Sequence, residues 1–201
     1  MAEFELFTAE GERKYVTLEE RERFYAASLN YKRNTKALCH VVYHTGCRIS
    51  EALELTAKRI DLHSKYIIIR CLKKRNKKNQ YRMVPVPDSL INDLDNIYGI
   101  REIYAKGERY QEKLLKQPLW DWTRQNGHRL IKEVMIEADI PPGPWRCPLG
   151  LRHGFAIAAI TKGIPLNVLQ KWMGHSKMET TAIYANVSGK EERAIAERMW
   201  G

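Results

Sequence analysis

Residues 59–87 read RIDLHSKYIIIRCLKKRNKKNQYRMVPVP, and no other part of the chain looks like them. β-branched and aromatic residues crowd into three short runs, RIDL, KYIIIRCL and YRMVPVP, separated by HS and by the basic stretch KKRNKKNQ. Runs of that length and composition favour strands, and such short connections join antiparallel neighbours. The flanks have a different period. Thr17 with Glu20 three residues later is a capping-box signature that opens a charged helix to about Ser28. Ala37, Leu38, Val41 and Val42 recur at helical spacing from Thr35 to about His44; TGCR interrupts them, and a short helix from Ser50 to about Leu55 follows. Beyond Asp88 the helical pattern returns with Leu90, Leu94 and Ile97, and again with Leu130, Ile131, Val134, Met135 and Ala138; residues 101–117 are polar and ambiguous. Helices are then predicted at about 148–162, at Pro165–Met173 with Pro165 at the first position and Gly174 as the terminal cap, and at about 177–187, opened by a Ser176/Glu179 capping box. A last helix, Lys190–Met199, is free to project from the body. The expected fold class is mainly α with a small three-stranded antiparallel β-sheet.

No linker, repeat or low-complexity tract divides the 201 residues, so residues 1–201 are expected to form a single domain. Lys and Arg number 34 against 24 acidic residues, a net charge of +10, which favours a polyanionic partner: nucleic acid or an anionic membrane surface. The longest apolar runs, such as Ala156–Ile160 and Tyr66–Ile69, are far too short to span a bilayer. The N-terminus MAEFELFTAEGERKY has acidic residues where a signal peptide needs a basic start and an apolar stretch, so a cytoplasmic location is expected. Cys39, Cys47, Cys71 and Cys147 are widely spaced with no CxxC pair; reduced, mostly buried thiols are expected rather than a zinc site or a disulfide framework.

Taken singly, the basic features have two readings each. KKRNKK, residues 73–78, is either a solvated hairpin loop or a set of phosphate contacts. Arg48 in TGCRISE is either a bonding partner for helix-end carbonyls or an anion ligand, and Arg152 with His153 in LRHGFA is either a capping pair or an anion site. Tyr184, in HSKMETTAIYANVSG, is by itself one more half-buried tyrosine.

Together, TGCRISEAL, LGLRHGFA, WMGHS and TTAIYAN, in this order between Thr45 and Val187, closely resemble the catalytic domain of the tyrosine recombinases, the phage integrase family. The spacings 175 − 152 = 23 and 184 − 175 = 9 match as well. The resemblance implies a site-specific recombinase that cuts and rejoins DNA through a 3′-phosphotyrosyl link at Tyr184, without metal, ATP or other cofactor. Arg48 and Arg152 are implied to hold the charge that develops on the phosphate, and His175 to donate to it. A hairpin lysine is implied to protonate the leaving oxygen: Lys73 first, then Lys74 among Lys73, Lys74, Lys77 and Lys78. Lys74, Arg75, Lys77 and Lys78 are the expected DNA-backbone contacts. Glu51 is expected to orient the site, and His153 to support it. The implied partners are a double-stranded recombination site, further copies in a dimer or tetramer on DNA with residues 190–201 as the docking helix, and accessory DNA-bending proteins.

Two departures from the family pattern stand out. The position three before Arg152, usually His or Lys, is Leu149, so proton transfer there is either missing or supplied by a neighbour such as His153 or Lys162. Only a tail, residues 1–15, precedes the catalytic part; the chain is expected to lack an N-terminal clamp domain, as short invertase-type members do, with Met1 favouring a complete short protein. Two alternatives are a DNA-binding regulator of the same fold, favoured by Leu149, and a type IB topoisomerase-like enzyme that relaxes supercoils without strand exchange. Trp120, Trp122, Trp145 and Trp172 read as core or base-side contacts, and His40, His44, His63 and His128 fall in no motif and read as structural.

Overall fold

The structure is a computed structural model that describes residues 5–72, 80–106, 108–186, 190–197 and 199–200. Helix α1 (Leu18–Ser28) starts as its sequence dictates: the Thr17 hydroxyl accepts the Glu20 N–H and the Glu20 carboxylate accepts the Thr17 N–H. Glu20 also takes both ends of the Arg13 guanidinium at 2.6 Å, which pins the preceding segment to the body. There Leu6 and Tyr15 are buried, so residues 5–15 form part of the folded body. Helix α2 (Arg33–Thr45) buries Ala37, Leu38, Val41 and Val42 and stops at Gly46, whose φ of 58° is the left-handed conformation that favours glycine. Helix α3 (Ile49–Leu53) follows.

A 3-10 turn, Ala57–Arg59, leads into β1 (Ile60–Asp61), β2 (Tyr66–Arg70) and β3 (Tyr81–Pro85), antiparallel in the order β1-β2-β3. Ile60 pairs with Ile67, Ile67 with Val84 and Ile69 with Arg82; this face is buried. The expected sheet is therefore present. The polar segment that the sequence left ambiguous is helical, as α5 (Ile100–Tyr104) and α6 (Glu108–Lys116) after α4 (Asp88–Tyr98); α7 (Arg124–Glu137) comes next.

Helix α8 (Pro148–Thr161) runs through the centre, and its apolar residues face both core clusters. Leu151 belongs to the larger one, built from α1–α4, α7 and the sheet, while Phe155, Ala156, Ile157 and Ala159 belong to a smaller one with Leu169, Met173 and Tyr184. That explains why its sequence is apolar all round, rather than along one stripe. Helices α9 (Leu166–Met173), α10 (Glu179–Ala182) and α11 (Lys190–Glu197) complete the chain.

Five details differ from the sequence reading. Pro165 is the N-cap of α9, one position outside it. The Ser176/Glu179 box does not form: Met178 is the N-cap of α10, without a side-chain cap bond. The expected helix 177–187 is one α-turn followed by a 3-10 turn, Ile183–Asn186. β-branched Thr180, Thr181 and Ile183 propagate a helix poorly, and the Thr181 hydroxyl is held by His175. Helix α11 does not project; it packs on α8, with Ile195 against the smaller core. Cys39 and Cys47 are buried, whereas Cys71 and Cys147 are only half-buried, so the thiols are less enclosed than expected.

Candidate catalytic site

Arg152 and His153 lie one turn into α8, each only 2% exposed. The Arg152 guanidinium donates through Nη1 to the Gly46 carbonyl at 2.7 Å and through Nη2 to the Met173 carbonyl at 2.7 Å and to His175 Nε2 at 3.1 Å. Of the five N–H groups of a guanidinium, these bonds commit three, so among the described residues Nε–H and one Nη1–H are left for a ligand. Gly46 is needed for a second reason here: a Cβ on it would fall 2.3 Å from Phe155 Cδ1. Because the guanidinium is always a donor, Nε2 of His175 is the acceptor, and its Nδ1–H donates to Thr181 Oγ1 at 3.0 Å. The ring of His175 lies 6.2 Å from that of Tyr184 at an interplanar angle of 14°. Tyr184 is 1% exposed, and its hydroxyl sits 2.9 Å from His153 Nδ1.

Arg48 is the N-cap of α3, half-buried, its backbone N–H on Glu51 Oε2 at 2.9 Å and its Nη1 on Oε1 at 3.3 Å. Glu51, 1% exposed, is forked by Arg82 from β3 at 2.6 and 3.2 Å, and Arg82 Nε donates to the Trp172 carbonyl at 2.6 Å. Side-chain bonds and charge from Arg82 overcome the burial of the Glu51 carboxyl and hold it below the usual carboxylate range. A cleft of about 400 Å³ opens beside these groups, lined by Arg48, Arg152, Leu149, Ser50, Arg124 and His128, among others. Its one carboxylate, Glu51, is neutralised by Arg82, so the cleft is a positive, partly desolvated seat for an anion.

Burial, then the Arg152 and Arg48 charges, push the His175 pKa down to about 3. Burial pushes the Tyr184 phenol up to about 12 despite those same two arginines. Away from the site, burial lowers His40 and His44 to about 4. A pKa lower in the folded than in the unfolded chain means that the unfolded chain binds the proton first. Stability is therefore full above about pH 6.5 and is lost as the pH falls towards 4 and then 3. We expect each of these histidines to cost about 1–2 kcal/mol at pH 5. Thermal melts at pH 7.5 and pH 5 check this, and an unchanged melting temperature contradicts it.

Of the residues expected from the sequence, Arg48, Glu51, Arg152, His153, His175 and Tyr184 come together from four separate segments. Leu149 lines the cleft as an apolar wall. Lys162 caps the far end of α8 and is not among the residues lining the cleft, so it is no substitute for a side chain at position 149. Lys73, Lys74, Arg75, Lys77 and Lys78 lie outside the described residues. Arg82 and Thr181 were missed. Arg82 did carry a signal: it occupies the inward register of β3 with Val84, where a lone charge requires a buried partner. Among the described residues no three His, Cys, Asp or Glu side chains converge as a metal site requires.

The phage integrase family model matches residues 14–191. The chain is 26% identical over 191 residues to tyrosine recombinase XerA of Pyrococcus furiosus, covering 92% of this chain and 61% of that protein. It is 30% identical over 154 residues to tyrosine recombinase XerD of Neisseria meningitidis serogroup B, covering 76% of this chain and 50% of that protein. The fold is similar to that of the XerH site-specific recombinase bound to palindromic difH substrate in a post-cleavage complex, with a TM-score of 0.71 at 22% identity, over 93% of this chain and 53% of that one. The chain thus spans about half to three fifths of the length of the two sequence relatives.

Proposed function

Because this chain belongs to the phage integrase family, we propose that residues 1–201 form the catalytic domain of a site-specific DNA recombinase, cutting and rejoining DNA through a phosphotyrosyl link at Tyr184. The observation that carries this reading is a pair of hydrogen-bonded sets, Arg152–His175–Thr181 and His153–Tyr184, brought together by the stacking of the His175 and Tyr184 rings, with Arg152 lining the same cleft as Arg48. In that reaction the Tyr184 oxygen forms a bond to the phosphorus of the scissile phosphodiester and the P–O5′ bond breaks. The phenol proton passes to His153 Nδ1, the nearest basic atom, which takes over the part that Leu149 cannot play. The 5′ oxygen takes its proton from a hairpin lysine. Lys73 is our choice, as the first lysine after the KYIIIRCL run. The two free N–H groups of Arg152 and the guanidinium of Arg48 receive the charge growing on the non-bridging oxygens. Glu51 positions Arg48 and does not react. No metal or cofactor enters these steps.

The Tyr184 hydroxyl is enclosed with His153 and does not line the cleft, so the reaction requires the short α10 and 3-10 turn to shift on DNA. The double-stranded site, assembly as a dimer or tetramer through α11, accessory DNA-bending proteins and a cytoplasmic, prokaryotic setting belong to the same proposal; a DNA-bound structural neighbour and the Pyrococcus and Neisseria relatives support it. A second reading, a DNA-binding regulator of the same fold, is favoured by Leu149 and by the burial of Tyr184. The test is a denaturing gel of the protein incubated with duplexes that carry the candidate site and a nick beside the cleavage position. We expect a covalent adduct that survives denaturant and yields to protease; binding without adduct supports the regulator instead.

A further inference from the structure

Resting on that reading, we propose that His128 is a further catalytic residue of the cleft, donating its imidazole N–H to a non-bridging oxygen of the phosphate held by Arg48 and Arg152. Helix α7 reaches the site because it lies unusually close to α3. A Cβ on Gly127 would stand 3.1 Å from Leu53 Cδ1 and 3.4 Å from Ile49 Cδ1, so the missing side chain sets the approach of the two helices. Ile49 directly follows Arg48, and His128 directly follows Gly127. The contact therefore brings the imidazole into the same cleft as the two arginines. Leu149, on the α8 side of the cleft, offers no donor. Nothing among the described residues hydrogen-bonds the His128 ring, which leaves its N–H for a ligand.

The position is also suited to a neutral donor. Burial first, and then the charges of Lys132 and Arg124, lower the His128 pKa, so that at neutral pH the ring presents one N–H and one lone pair. Arg124, His128 and Lys132 recur every four residues along α7, and Arg124 lines the cleft with His128. The same helix face thus continues as a basic stripe suited to the neighbouring phosphates of a DNA strand.

Two measurements on the full chain test the assignment. The first is an NMR titration with inorganic phosphate, in which the His128 ring signals shift with the binding curve and Arg48→Ala removes the shift; a His128 signal that does not respond overturns the proposal. The second is adduct formation on a pool of nicked duplexes with randomised cores, measured beside DNA affinity. We expect His128→Ala to slow the adduct about 100-fold at unchanged affinity, His128→Gln to regain part of the rate through its amide N–H, and Leu149→His in the His128→Ala background to restore it. A His128→Ala rate equal to wild type, or a loss that only follows weaker DNA binding, overturns the inference and leaves the recombinase reading intact. If wild type forms no adduct, the recombinase reading fails and this inference fails with it.

Discussion

Tyr184→Phe is expected to abolish the proposed covalent protein–DNA adduct and to leave DNA binding intact. The ring is 1% exposed among Phe155, Leu169 and Met173, and phenylalanine fills the same volume, so the smaller core does not lose its packing. What is lost is one oxygen and its bond to His153, a change of about 1 kcal/mol in folding stability. The expected effect on chemistry is complete, since phenylalanine has no oxygen with which to form the ester. A gel for the adduct, a mobility-shift assay and a thermal melt read the three quantities separately. Adduct formed at the wild-type rate by the Phe variant would remove Tyr184 from the reaction, whereas a large fall in melting temperature would make its role structural.

Arg82→Ala has the largest expected effect on the fold. Glu51 is buried and bonded by Arg82 through two N–H groups, and the same guanidinium reaches the Trp172 carbonyl and Cys71 Sγ. Removing it strands a carboxylate away from water, which costs about 3–5 kcal/mol. For a chain of this size that is a drop of roughly 6–20 °C in melting temperature. The double variant Glu51→Met/Arg82→Met separates stability from chemistry. Replacing both charges by apolar side chains should regain most of the lost stability, because the pair's mutual attraction largely offsets its own desolvation. Arg48, however, loses the carboxylate that fixes both its backbone N–H and its Nη1. We therefore expect the double variant to fold but to form adduct far more slowly than wild type. Recovery of adduct together with stability would show that Glu51 and Arg82 serve the fold alone.

Much of the molecule was readable from local pattern. The β-branched runs became β2 and β3, where alternation over five residues is itself the condition for one buried face, with the two-residue β1 paired at their edge. The Thr17/Glu20 box formed because both partners lie within one turn. The same reasoning failed at Ser176/Glu179, where the flanking residues are engaged by a distant helix: Arg152 holds His175, and His175 holds Thr181. The order and spacing of Arg48, Arg152, His175 and Tyr184 are properties of the sequence by itself, and so are the basic charge and the helical body with its small sheet.

Only the tertiary structure decided how those residues are used. It placed His153 on the Tyr184 hydroxyl and enclosed that hydroxyl away from the cleft. It paired Arg82 with Glu51, 31 positions earlier, and hung Arg152 on the Gly46 carbonyl, 106 positions earlier. It brought His128 into the cleft that Arg48 also lines and that Leu149 walls without a donor. The physical reason is common to all four. A period of two or of 3.6 residues tells which way a side chain points from its own element, whereas a hydrogen bond between elements depends on how whole helices and strands pack against each other.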